Sequence, residues 1–434
     1  MLEAFLNSLS IDEVRNKLLL TVGLVAVYRL GSHIVIPGAD PVAIQQMAGE
    51  SGWLQLADMF SGGAFSNFAI FALGIMPYIS ASIIMQLLTP VIPTLEELKK
   101  EGQQGQNKIN QYTRYLTVAL SFVQSVGIAL RAESAGVAPS TWTFRILAVT
   151  SLTAGAVFVM WLGEQISEYG IGNGISLLIY ISIISSIPKF FVGTFRQWRI
   201  GEFNVINMLA LFVLLGLLFV VCVWIQTGER RVPVKYTKQV RGRKMYGGQG
   251  SHLPLKVDYS GVIAVIFASS AMMFPALLFN AFSQGMQYPA WLSSFFSLFY
   301  RGNALWALIY MGLIFFFCYF YTGITFNPND VAENLKESGG IVPGRRPGKN
   351  TAEYIEKILN RITLVGSVVV ALIAIFPIWM SDWFDVQLYF GGTSLLILVG
   401  VGLDFVQKLE SQLLMRHYEG FMDSGKVKGR GFGG

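Results

Sequence analysis

Charge is scarce in this sequence. Asp, Glu, Lys and Arg make up 13% of its 434 residues, about half the share of an ordinary soluble domain. So little charge cannot cover a soluble globule of this length, which excludes a common soluble enzyme. A disordered chain is excluded as well, because 53% of the residues are apolar. Cysteine is nearly absent: Cys222 and Cys318 are the two present, both inside apolar runs. Neither a disulfide framework nor a cysteine metal cluster fits that pattern. His33, His252 and His417 stand far apart, with no acid at ligand spacing. Gly170-Ile171-Gly172-Asn173-Gly174 lacks the βαβ surroundings of a dinucleotide fingerprint. Gly344-Arg345-Arg346-Pro347-Gly348-Lys349 is one residue short of a phosphate loop and is followed by Asn350. The sequence offers no candidate enzyme site.

What is abundant is long apolar runs, and the mean hydropathy is +0.52. Ten can be read, near residues 18–36, 68–91, 112–130, 142–163, 171–192, 205–225, 260–282, 304–324, 358–379 and 389–406. A crossing of the hydrocarbon core takes about 20 residues. In lipid the backbone must satisfy its own hydrogen bonds, so these runs predict helices; they are too long and too uniform for barrel strands. The first run is preceded by Glu3, Asp12 and Glu13 and interrupted by Arg29, which reads as a retained helix rather than a cleaved signal. Of the 32 Lys and Arg, counting those near the ends of a run with the adjoining connection, 25 fall with the termini and the 2/3, 4/5, 6/7 and 8/9 connections, against six with the others. That imbalance predicts both termini in the cytosol. Charges within the runs are few, chiefly Arg29 and Asp404, which argues against a proton- or sodium-driven carrier.

Two short matches relate the halves. Gly74, Ile79, Ala81 and Ser82 repeat as Gly261, Ile266, Ala268 and Ser269. Gly174-Ile175-Ser176-Leu177-Leu178-Ile179 repeats as Gly392-Thr393-Ser394-Leu395-Leu396-Ile397. Run two thus pairs with run seven, and run five with run ten. The fold class expected is an all-α integral membrane protein of ten transmembrane helices in two inverted, pseudo-symmetric five-helix halves, residues 1–200 and 201–434. Function tends to lie where such halves meet. A secondary transporter of a small solute shares this pattern, as does a membrane scaffold without an aqueous path.

Three stretches stand apart. Residues 57–71 (ADMFSGGAFSNFAIF) are semi-apolar and read either as an external loop or as a piece re-entering the membrane domain. Residues 292–300 read as an external interfacial helix. The cytosolic connections 228–256 and 327–351 are basic. The first carries Arg230, Arg231, Lys235, Lys238, Arg241, Arg243, Lys244 and Lys256, and the second includes Lys336, Arg345, Arg346 and Lys349. Orientation alone accounts for basic loops, but eight cations in one loop also suit docking of an anionic protein face or RNA.

Gly74 to Leu88 (GIMPYISASIIMQLL) resembles the second-span signature of the SecY family, channel subunits of the protein-conducting translocon. Gln111 to Tyr115, Gly170 to Gly174, Phe267 to Ser270, Pro343 to Gly348 and Met415 to Gly420 agree in order, essentially along the whole chain, and the match is to the bacterial branch. Tyr169 departs from the family's usual Arg before G-I-G-N-G. The resemblance implies a central pore that passes unfolded polypeptides and releases transmembrane segments into lipid. It implies a pore ring of Ile75, Ile79, Ile175, Ile179, Ile266 and Ile397. Its plug falls on 57–71, with Met59, Phe60, Gly62, Gly63, Phe65 and Asn67. Its lateral gate lies between spans two and seven, with Ser82, Gln86, Ser269 and Ser270, although Gln86 is equally satisfied within its own bundle. Implied partners are SecE and SecG in the membrane, the motor SecA, the ribosome, signal-bearing polypeptides and the lipid bilayer. The basic loops are the implied docking surface, and the location is the bacterial inner membrane. No cofactor and no catalysis are implied.

Overall fold

The computed structural model describes residues 11–39, 58–201, 204–236, 239–241, 244–246, 250–282, 304–384 and 391–424. The expected stretch 292–300, Ala57, Lys238 and Arg243 lie outside the described residues. Helices dominate. They are α1 (Asp12–Gly31), α2 (Met76–Leu88), α3 (Pro93–Lys100), α4 (Gln103–Ser134), α5 (Trp142–Tyr169), α6 (Gly174–Ile200), α7 (Val205–Thr227), α8 (Gly261–Phe282), α9 (Ala304–Thr325), α10 (Pro328–Glu337), α11 (Lys349–Phe384) and α12 (Gly392–Ser424). Among the described residues, seven helices are long and apolar enough to cross a membrane. Counting the bent pair α2 and α3 as one span makes eight. Those two helices meet at 95°, where Pro90 and Pro93 each withhold an amide hydrogen from the helical ladder.

The chain divides into two compact units. One comprises 1–186 with 401–434, the other 187–400. The first boundary falls two residues before Pro188 in α6, the second between Gly400 and Gly402 in α12. In the first unit, α4 packs along α2, α3 and α5, and α1 along α5. In the second, α11 packs on α7, α9 and α10, and α8 on α9. Gly74 and Gly261, matched in the repeat, share the same left-handed φ of 53°.

Three expectations need correction. The first run ends as helix at Gly31, and residues 34–36 turn to pair with 68–70. The Ile36 amide donates to the Phe68 carbonyl (3.0 Å) and the Ile70 amide to the Ile34 carbonyl (3.0 Å). The second run is helical only from Met76; residues 62–75 are tight turns. The chain is also not purely helical. The basic connection 228–256 folds as β1 (Glu229–Tyr236), β2 (Gln239–Arg241), β3 (Lys244–Tyr246) and β4 (Gly250–Lys256). β1 pairs antiparallel with β4 and with β5 (Gly340–Ile341), and β2 with β3. β1 reads in period two: Val232 and Val234 are buried while Arg231 and Lys235 face out.

Candidate functional site: a buried turn segment, an isoleucine set and a basic lobe

Residues 58–75 fold into a compact, largely buried body. One helical turn, 58–61, leads into consecutive turns. Asp58 organises them. Its carbonyl accepts from the Ser61 hydroxyl (3.1 Å) and the Gly63 amide (2.9 Å), and its carboxylate from the Ser66 amide (2.7 Å). The Ser61 hydroxyl oxygen in turn accepts from the Phe65 amide (3.1 Å). Backbone groups that no regular helix would satisfy are thus met locally, as buried backbone requires. Met59, Phe60, Gly62, Gly63 and Phe65 are buried and Asn67 is half-buried. Aromatic stacking seats the segment on its neighbours. Phe71 stacks on Tyr28 of α1 (centroids 6.0 Å apart) and on Phe158 of α5 (5.8 Å), and Phe68 on Phe144 (6.2 Å).

The isoleucines of the expected ring are divided between the units. Ile75 immediately precedes α2, and Ile79 lies one turn into it. Ile175 and Ile179 occupy successive turns of α6. Ile266 is on α8 and Ile397 on α12. All are buried except Ile175, which is half-buried with a side-chain carbon against Gly163 of α5. Of the expected gate residues, Gln86 donates to Ser82 one turn earlier (3.0 Å), so its amide is met within α2. Ser269 bonds back to the Ile266 carbonyl (2.9 Å), whereas the buried Ser270 hydroxyl has no partner among the described residues.

The two basic connections share one small core. Val232, Val234, Leu255, Val342 and Ile355 are buried together, with Phe326, Val331, Leu335 and Tyr354 packed around them. Arg230, Arg231, Lys235, Arg345 and Arg346 remain exposed. Arg231 pairs with Glu229 (2.7 Å), and the Arg345 guanidinium lies 4.9 Å from the Tyr354 ring centre. Arg241 and Lys244 sit on the short β2–β3 pair. Residues read as two loops therefore form one folded lobe.

Sequence reasoning missed how the G-I-G-N-G turn is anchored. Ile171 is buried with Val14 and Leu409, and its amide donates to the Thr21 hydroxyl (3.3 Å). Asn173 accepts the amides of Ile175 and Ser176, capping α6. The turn thus packs against both α1 and α12. Asp258, in the turn before α8, was also missed. Its Oδ1 accepts from the Ser260 hydroxyl (2.6 Å) and the Gly261 amide (2.8 Å), and its Oδ2 is buried with no partner among the described residues. Burial pushes this carboxyl above the ordinary range, against the opposing pull of those hydrogen bonds and of Lys256. The native state then holds the proton to higher pH than the unfolded chain does. This penalises folding progressively as pH rises from the unfolded pKa through the folded one. Relative to Asp258→Asn, the native protein is expected to lose thermal stability across that window. A midpoint difference that does not vary with pH would refute this.

Comparisons with known proteins agree on one family. The SecY family model matches residues 69–406. The protein translocase subunit SecY of Escherichia coli (strain K12) is 44% identical over 428 residues, covering 97% of this chain and 96% of that one. Among solved structures, one described by the statement that the plug domain of SecY stabilises the closed state of the translocation channel and maintains a membrane seal matches with a TM-score of 0.66. Identity is 19%, and the match covers 95% of this chain and 94% of that one. Sec61 in the canine ribosome–channel complex from the endoplasmic reticulum matches with a TM-score of 0.60 at 17% identity, covering 95% and 94%. At these identities the structural matches speak to fold alone.

Proposed function

Because this chain belongs to the SecY family, we propose that it is the channel-forming subunit of a protein translocase, passing unfolded polypeptides across the membrane and releasing transmembrane segments sideways into lipid. The observation that carries the reading is the buried, self-bonded body at 58–75, which leads directly into a short apolar helix. A solute carrier has no evident use for such a body, whereas a channel that must seal at rest does.

The finer architecture follows as part of the same proposal. Seven long helices and the bent α2–α3 pair make eight crossings. α1 and α8 bring the total to ten. α1 falls outside the long apolar set because Arg15, Lys17 and Arg29 interrupt it, and α8 because its described apolar stretch is short. The shared φ at Gly74 and Gly261 supports two inverted halves. Ile75, Ile79, Ile175, Ile179, Ile266 and Ile397 form the neck. A narrow aliphatic neck disfavours a continuous water column and offers a passing chain no hydrogen bonds to stick to. Residues 58–71 act as the plug, and the seam between α2 and α8 as the lateral exit. The exposed cations of the cytosolic lobe meet SecA or the ribosome. SecE and SecG complete the assembly in a bacterial inner membrane, with both termini cytosolic. The subunit itself catalyses nothing; its drive comes from the docked partner.

A photoreactive residue at Ile79 and at Ile397, with a secretory chain stalled mid-transit, tests this. Adducts at both positions, lost on release of the chain, are expected. Efficient translocation with adducts at neither would put the polypeptide path elsewhere.

A further inference from the structure

Arg29 is the one cation inside the first apolar run, and the channel reading gives it no task. It lies in the last turn of α1 and is half-buried. Among the described residues it forms no ion pair. Its Nη1 donates instead to the backbone carbonyl of Gly62 (2.8 Å). The Ser185 hydroxyl donates to the Ser182 carbonyl (2.7 Å) and lies 3.4 Å from the same Gly62 carbonyl. One residue earlier, the buried Tyr28 hydroxyl donates to the Ser61 carbonyl (3.2 Å) and lies 2.7 Å from the Ser182 hydroxyl. The Ser182 hydroxyl also has the Leu178 carbonyl within reach (2.8 Å), and it carries a single proton, so Tyr28 donates to Ser61 when Ser182 turns its proton from Leu178 to Tyr28.

We propose that Tyr28 and Arg29 of α1, backed by Ser182 and Ser185 of α6, form a latch that holds the re-entrant segment by two consecutive backbone carbonyls. The proposal deepens the plug reading and rests on it. Gly62 makes the contact possible. Its φ of 66° is left-handed, and a Cβ there would lie 2.8 Å from Arg29 Nη1 and 3.1 Å from the Ser182 Cα. Any side chain at this position would occupy the space the guanidinium needs. The latch grips backbone, so it fixes the segment's position without reading its side chains. A charged donor to a carbonyl is strong where water is excluded and weak where it enters. Hydration of the site as the channel opens therefore loosens the hold, and closure restores it. Tyr28 and Arg29 are positioning residues: they touch the segment, not the translocating chain.

The test uses the full chain in its native membrane complex, with Cys222→Ala and Cys318→Ala removing the two native thiols. Ala64→Cys, at a fully buried position within the segment, reports release through its labelling rate with a membrane-impermeant maleimide supplied on both faces. Tyr28→Phe keeps the stack on Phe71 and loses the hydroxyl; Arg29→Met keeps the bulk and loses the charge. Each is expected to raise labelling about ten-fold, the effect of one buried hydrogen bond. Together they should act multiplicatively, because they grip different carbonyls. Ser182→Ala added to Tyr28→Phe should add little, since both belong to one relay. Arg29→Lys, which retains a cationic donor, should recover most of the loss. That rescue separates positioning from general damage and carries the test if Arg29→Met fails to insert. Unchanged labelling in the Tyr28→Phe/Arg29→Met variant overturns the latch, as does a rise in resting ion conductance without increased labelling. Increased labelling with higher conductance supports both latch and plug. Increased labelling with unchanged conductance and signal selectivity leaves the latch standing and removes the plug reading.

Discussion

Gly155→Ala is expected to unseat the re-entrant segment, at a cost of about 1–3 kcal/mol in stability and with a measurable resting ion leak. Gly155 lies mid-way along α5, facing the backbone of Ile70. A Cβ there would collide with the Ile70 carbonyl oxygen, with the carbonyl carbon and the Ile70 Cγ2 both 2.9 Å away. The obstacle is main chain, which cannot rotate aside as the end of a flexible side chain does. Ile70 is also held from behind, because its amide donates to the Ile34 carbonyl (3.0 Å). Phe71 is clamped between Tyr28 and Phe158. The added methyl must therefore displace either the segment or α5. The thermal midpoint of the detergent-solubilised complex and its conductance in a planar bilayer measure the two consequences. Gly216→Ala on α7 is the control: nothing lies within 4 Å of a Cβ there, and alanine favours the helix. If Gly155→Ala behaves like Gly216→Ala, the segment is not seated as described.

Long apolar runs made most spanning helices legible, because a run of about 20 such residues admits few other structures in lipid. The repeat even marked two helix starts: α6 begins at Gly174 and α12 at Gly392, the first residues of the matched hexapeptides. The second run misled for a physical reason. Apolarity reports burial, not backbone shape, and a turn packed inside protein needs the same residues as a helix facing lipid. The signal that separates them is glycine placement: Gly62, Gly63 and Gly74 all adopt left-handed φ. The β1 strand was legible in principle from the alternation Arg231, Val232, Pro233, Val234, Lys235, but with only two apolar residues among so many cations the period-two signal is short and weak. Its pairing with Gly340 and Ile341 was not legible, since residues more than 100 apart in sequence leave no local mark. The same holds for Tyr28 meeting Ser182, and for Arg29 meeting a carbonyl.

Ile397→Asn is expected to raise resting conductance and to let chains with defective signals through. Ile397 is fully buried on α12, beside the Leu396 carbonyl that accepts the Gln226 side-chain amide (3.1 Å). A carboxamide there brings a donor and an acceptor into an aliphatic surround. Burying them unpaired costs about 1–3 kcal/mol by protein mutational data, and the direct relief is to admit water. In a neck that resists ions by staying dry, admitted water is itself the functional defect. General destabilisation predicts a different pattern, and Val370→Asn separates the two. Val370 is comparably buried, on α11 of the same unit, and it is not a ring position, so it should lose similar stability without leak. Equal leak from both variants would reduce the Ile397 effect to loosened packing. Leak from Ile397→Asn alone would tie the seal to an apolar neck at that side chain. On the proposed reading one dry neck both stops ions and sets how strongly a signal must bind before opening, so signal discrimination should fall with it.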